Sequence, residues 1–197
     1  MKFSILKAVF IVAATSFLAA CSSTNYMVHQ IDAGTEGNKE KISLKDNSFH
    51  LVNGGDGIKT TLILLQEKPA EGSGASALNI ANEYLAKHTQ AIVAEKEILT
   101  TEQALEAAVS NNSGYLVYSQ VEIWTDPLGI NCTKHYYDQA SVLLSIYSLS
   151  DKSLISTSRL SAKSCPHTVN GIPVTTGSPE KLFETLFDKW FNENFTL

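Results

Sequence analysis

The side chains best placed to do chemistry in this chain are two thiols, each with an imidazole close by: Cys132 with His135, and Cys165 with His167. Two thiolates and two imidazoles form a ligand set that zinc or copper accepts. In an oxidising compartment the same two thiols close a disulfide instead. A single proline separates Cys165 from His167, a spacing tighter than most metal clusters. The disulfide is therefore the leading expectation and a metal site its alternative. Nucleophilic catalysis leaves no comparable trace. The chain has no Gly-x-Ser-x-Gly elbow and no Ser-x-x-Lys accompanied by its companion motifs. The five histidines, His29, His50, His88, His135 and His167, are scattered, with no His-x-x-x-His pair. Glu95, Glu97, Glu102 and Glu106 read as the solvated face of a helix and its approach. The expectation is a protein that is not an enzyme and carries no cofactor.

The compartment is written in the first twenty-one residues. Lys2 and Lys7 give a positive start, and residues 8–17 an apolar run. That run is typical of a secretory signal and too short to span a bilayer. Leu18-Ala19-Ala20-Cys21 then resembles the lipobox of Gram-negative lipoproteins. The motif implies cleavage before Cys21, diacylglycerol on its thiol, and a further acyl chain such as palmitate on the new amino terminus. Each buried methylene contributes roughly 0.8 kcal/mol, so several chains hold a protein on a membrane almost permanently. Ser22 stands where an aspartate would favour the inner membrane. The expected address is thus the periplasmic face of the outer membrane, an oxidising space in which Cys132 and Cys165 pair.

Residues 1–20 read as a signal peptide, 21–48 as a flexible tether and 49–197 as one globular domain. The tether stretch is rich in Ser, Thr, Asn, Gly and charge, with too few apolar residues for a core of its own. The whole chain has 15 basic and 20 acidic residues; without Lys2 and Lys7 the mature chain has 13 against 20, a formal charge of −7. An acidic chain argues against nucleic acid as a partner.

Within the domain, residues 49–52 suggest a short edge strand and the glycine-rich 53–57 a turn. Residues 60–65 and 91–94 read as strands buried on both faces. Helical spacing covers residues 75–89, with Leu78, Ala81, Tyr84, Leu85 and His88 inward. Thr100 and Gln103 match a capping box opening a second helix, with Ala104, Leu105, Ala108 and Val109 inward. Residues 114–124, 139–149 and 153–163 alternate as three strands of an antiparallel meander. The loops after the first and third of these strands lie at one end of the sheet, which brings Cys132 and Cys165 together. Ser178-Pro179-Glu180 opens a last helix whose stripe of Leu182, Phe183, Leu186, Phe187, Trp190 and Phe191 is core. The order is strand–helix–strand–helix–strand–strand–strand–helix: an α/β (α+β) fold with a mixed sheet covered by helices.

The lipobox, the Gly114-Tyr115-Leu116-Val117 strand ending at Trp124-Thr125-Asp126, the hairpin after it and Ser161-Ala162-Lys163-Ser164 resemble a family of small proteobacterial lipoproteins. That family is uncharacterised, a domain of unknown function. The strand order resembles the N-terminal domain of the Tol-system propeller protein. The likeness covers roughly residues 58–195, and the cysteine pair departs from it. It implies a location and a fold and brings no catalytic residues. The expected function is an envelope interaction or assembly module, held to the membrane by its lipid and bound to an envelope protein. The alternative is a lipoprotein binding a small ligand or metal, with Trp124, Tyr136, Tyr137 and His167 as walls of the site.

Overall fold

The computed structural model describes residues 29–32, 40–61, 66–126, 137–164, 167–169, 172–174 and 178–197, with backbone alone at 29–32, 167–169 and 172–174. The fold is a mixed α/β arrangement built on an eight-stranded sheet. Its central path runs β1 (His29–Asp32), β9 (Ser153–Ser164), β8 (Asp138–Ser148), β7 (Tyr115–Thr125), β3 (Phe49–Asn53), β6 (Ile92–Ile98). β3 is parallel to both β6 and β7, whereas β7, β8 and β9 form the expected antiparallel meander. β4 (Ile58–Thr60) touches β7 at Ile123 and pairs with β5 (Glu67–Pro69). A small hairpin joins β10 (His167–Val169) and β11 (Ile172–Val174).

Among the described residues three helices cover the sheet. α1 (Ser73–Ala86) and α3 (Pro179–Asn194) lie on one face, where Ala77, Leu78, Ala81 and Leu85 meet Leu51, Val117, Val142 and Leu144. α3 lays down the aromatic stripe read from the sequence, with Phe183, Phe187 and Trp190 fully enclosed. Each such side chain contributes roughly 1.5–3 kcal/mol of transfer free energy, so this helix anchors the core. α2 (Thr101–Ser110) lies on the other face. Its Ala104 and Ala108 pack on Val52 and Leu116, which alternate with the residues facing α1. The capping box is present in full, Thr100 accepting from the Gln103 N–H and Gln103 from that of Thr100.

The structure revises several local expectations. Residues 49–52 belong to the central strand, fully buried between β6 and β7, and not to an edge. Residues 92–94 lie instead in β6, at the edge of the described sheet, where Val93 is 41% exposed. The run 60–65 provides only the end of the exposed strand β4, and 62–65 lie outside the described residues. Two stretches of the expected tether join the fold. β1 pairs with β9, and β2 (Ile42–Ser43) pairs with β12 (Phe195–Thr196), burying Ile42 and Leu44. Val109 is exposed rather than inward. A register shift between Ile146 and Tyr147 sets Leu154 opposite Tyr147 and leaves it 49% exposed. A shift between Val121 and Ile123 turns both Val121 and Trp124 into the core.

Candidate functional site

Gly54, Gly57 and Gly74 stand where a side chain would collide with its neighbours. A Cβ on Gly74 would lie 2.3 Å from the Asn53 side-chain oxygen and 2.8 Å from the Gly55 carbonyl oxygen. Gly72, which caps α1, has φ 82°, a left-handed conformation that glycine adopts without strain. With the chains this close, the Asp56 carboxylate reaches the first turn of α1. It accepts from the N–H groups of Gly72 at 2.9 Å and Gly74 at 2.7 Å. The Ser73 hydroxyl accepts from the Gly57 N–H at 3.0 Å. The positive end of α1 is thus already occupied by a carboxylate of the chain itself.

Beside that turn is a cleft of about 310 Å³, lined by Lys59 of β4, Ala70 to Ser73 and Ser76 at the start of α1, Trp124 and Asp126 at the end of β7, and Glu180 in the first turn of α3. Trp124 is 7% exposed. Its indole N–H donates to the Glu180 carboxylate at 3.1 Å, and its ring packs 6.0 Å from Phe183. Ser178 and Pro179 start α3 where Glu180 can reach. Asp138, the first residue of β8, is only 4% exposed. Burial, then the charges of Asp126 and Glu180, push its carboxyl up to about 7. No described residue hydrogen-bonds that carboxyl.

Of the walls expected from sequence, Trp124 does line the cleft. Tyr137 is half-buried and does not; the Lys163 ammonium sits 5.8 Å from the centre of its ring. Tyr136 lies outside the described residues, and so does the side chain of His167. Cys21, Cys132, His135 and Cys165 also lie outside them. The strands leading to the cysteine pair do end together: Thr125 stands opposite Gln139, and Asp138 opposite Ser164. Among the described residues, no group of three or more His, Cys, Asp or Glu side chains is placed to hold a metal ion. Sequence reasoning missed Lys59, Glu71, Asp126, Glu180 and Asp138 as neighbours. Their only sequence signal was Glu180, read with Ser178 and Pro179 as the opening of the last helix.

On the opposite sheet face the Arg159 guanidinium grips Glu122 through two nitrogens, with Nη2 to Oε1 at 2.7 Å and Nε to Oε2 at 2.8 Å. The Ser141 hydroxyl donates to the same carboxylate at 2.8 Å. Burial raises the Glu122 pKa, but the hydrogen bonds from Arg159 and Ser141 outweigh it and the net shift is downward. Under α2 lies a different kind of group. His50 is fully enclosed, neither ring nitrogen has a partner among the described residues, and burial lowers its pKa against a smaller opposing pull from Glu95.

No protein-family model matches the chain, and no curated protein matches it. Solved structures resemble it in fold. The PelC dodecamer from Paraburkholderia phytofirmans matches in two crystal forms, with TM-scores of 0.57 and 0.56 at 15% identity. The first match covers 86% of this chain and 99% of that one. Protein XCC0632 from Xanthomonas campestris, of the family of unknown function DUF330, matches with TM-score 0.44 at 8% identity, over 78% of this chain and 82% of that one. The LpoB C-terminal domain from Salmonella enterica gives 0.28 at 12% identity, over 62% and 84%. At 15% identity the PelC likeness shows a shared fold. These structures lend nothing to the expected likeness to the Tol-system domain.

Proposed function

We propose that the protein is a lipid-anchored module of the bacterial envelope that works as an assembly of copies of itself, without catalysis of its own. The observation that carries this reading is the likeness in fold along nearly the whole of the PelC chain, which forms a dodecamer. The sheet supports it. Among the described helices only the short α2 packs on the second face, leaving Gln120, Leu143, Tyr147 and Arg159 half-exposed on β7, β8 and β9. A neighbouring copy or another envelope protein can cover such a face. The lipobox at Cys21 and the serine after it support an address on the periplasmic face of the outer membrane. The formal charge of −7 on the mature chain argues against nucleic acid as a partner.

Cross-linking the full chain in intact cells tests both parts. The expected result is a ladder of adducts at multiples of the chain mass, with Cys21→Ser releasing the protein from membranes. Monomer alone at natural abundance would remove the assembly. Retention of Cys21→Ser on the membrane would remove the anchor.

A further inference from the structure

We propose that the end of the sheet at which β1 begins rests on the membrane that holds the acylated Cys21, and that the end carrying the β8–β9 turn points away from it. This deepens the anchor reading of the proposed function and rests on it. The length of chain ahead of the fold carries the inference. Cys21 stands only eight residues before His29, the first residue of β1. Eight residues span at most about 26–29 Å even when fully extended. His29 pairs with Ser161, close to the end of β9. Asp138 opposite Ser164, and Thr125 opposite Gln139, mark the same end of the sheet. The opposite end is the turn between Ser148 and Ser153. Along β9, Ser153 is eight residues from Ser161, roughly 26 Å at the rise of a strand. With that turn on the bilayer, His29 would stand as far from the lipid as the chain can reach, with no slack. With the β1 end on the bilayer, no stretching is needed. The pairing of β1 with β9 thus leaves a short connection that aims the domain.

The chemistry at that end agrees with a lipid surface. Lys163, near the end of β9, holds its ammonium 5.8 Å from the centre of the half-buried Tyr137 ring. A tyrosine and a lysine each join an apolar body to a polar tip, which suits the level of lipid headgroups. The hairpin of β10 and β11 begins three residues after Ser164, and so starts from this end. Its strands read His-Thr-Val and Ile-Pro-Val, without an acid, lysine or arginine. At the opposite end Ser150, Asp151 and Lys152 are exposed and polar. The aromatic pair or the hairpin alone is ordinary at the end of a sheet; the eight-residue reach is what sets a bilayer beside them. With a formal charge of −7 the mature chain gains nothing from anionic headgroups. The acyl chains hold the protein and the short connection aims it.

The test uses the full chain in isolated cell envelopes, with the photo-crosslinking residue p-benzoylphenylalanine placed at one position at a time. Asp126 and Lys163 report on the β1 end. Asp151, in the β8–β9 turn, and Lys87, at the end of α1, report on the other. The proposal expects lipid adducts at Asp126 and Lys163 several-fold above those at Asp151 and Lys87. A long Gly-Ser insertion after Ser22 should remove the difference. Equal yields at the two ends of the natural chain, higher yields at Asp151 and Lys87, or protein adducts in place of lipid at Asp126 and Lys163 would each overturn the proposal. A difference that survives the insertion would overturn it as well, because the reach of the chain would not be its cause. The mass of the amino-terminal peptide separates this failure from that of the anchor. An unacylated Cys21 overturns both, whereas an acylated Cys21 with equal yields overturns the orientation alone.

Discussion

The indole N–H of Trp124 donates to the carboxylate of Glu180 at 3.1 Å, fastening the end of β7 to the first turn of α3. The tryptophan is nearly buried, so its donor has little access to water if the partner is removed. A hydrogen bond to a charged group contributes roughly 1.5–3 kcal/mol. Glu180→Ala should therefore lose about that much in urea unfolding, and Glu180→Gln, which keeps an acceptor, clearly less. Equal stability of Glu180→Ala and the natural chain would show that the bond contributes nothing.

Asp56 and Gly74 make a second, separable prediction at the start of α1. Asp56→Ala removes two charge-assisted hydrogen bonds from an N-terminal turn, a loss of about 1–2 kcal/mol by analogy with capping residues. Gly74→Ala places a methyl 2.3 Å from the Asn53 oxygen, and the strain of such overpacking costs about 1–3 kcal/mol. Chemical denaturation of each variant checks both values. A neutral Gly74→Ala would mean that the two loops part readily.

His50 and Asp138 should tilt the pH dependence of stability in opposite directions. The His50 pKa is lowered on folding, so the unfolded chain binds the proton more readily. Its contribution is intact above the unfolded value near 6.5 and is lost as pH falls below it. The Asp138 carboxyl is raised from 3.8 to about 7, so the folded chain binds the proton more readily. Its contribution is intact below 3.8 and is lost as pH rises toward 7. The two slopes oppose each other between about pH 4 and 6.5. Melting curves over pH 4–8 should show His50→Leu steepening the fall of stability with rising pH in that window. Asp138→Asn should leave the histidine's slope exposed, with stability rising from pH 5 to 6.5. Parallel pH profiles for the two variants would contradict both assignments.

The cysteine pair offers a test that needs no substitution. The strands flanking Cys132 and Cys165 end at the same end of the sheet, as the meander reading required. A bridge closing the loop between them should stabilise the oxidised chain by roughly 3–4 kcal/mol. Reductant should lower the melting temperature, and Cys132→Ser or Cys165→Ser should lower it equally. Identical melting with and without reductant would exclude the bridge.

Long periodic elements were legible in the sequence, while their neighbours in the sheet were not. The α3 stripe from Leu182 to Phe191, the capping box at Thr100 and Gln103, and the β7–β8–β9 meander follow from local spacing. The strand at Phe49 reads as an edge because its apolar run, residues 49–52, is short. Its central place comes from parallel partners far away in the chain. Val93 reads as buried because it lies in an apolar run, but among the described residues β6 has a partner on one side only. Register shifts at Val121 and Ile146 redirect Trp124 and Leu154, and a strict period of two carries no signal of them. The cleft escaped for the same reason. Lys59, Asp126, Glu180 and Asp138 come from four elements, and only the folded sheet brings them near each other.

Native mass spectrometry of the full protein, extracted from membranes in mild detergent, tests the proposed function most directly. The account predicts one complex containing several identical chains, each beginning at an acylated Cys21. A single chain at natural abundance, or chains with an unmodified Cys21 or an uncleaved leader, would contradict it.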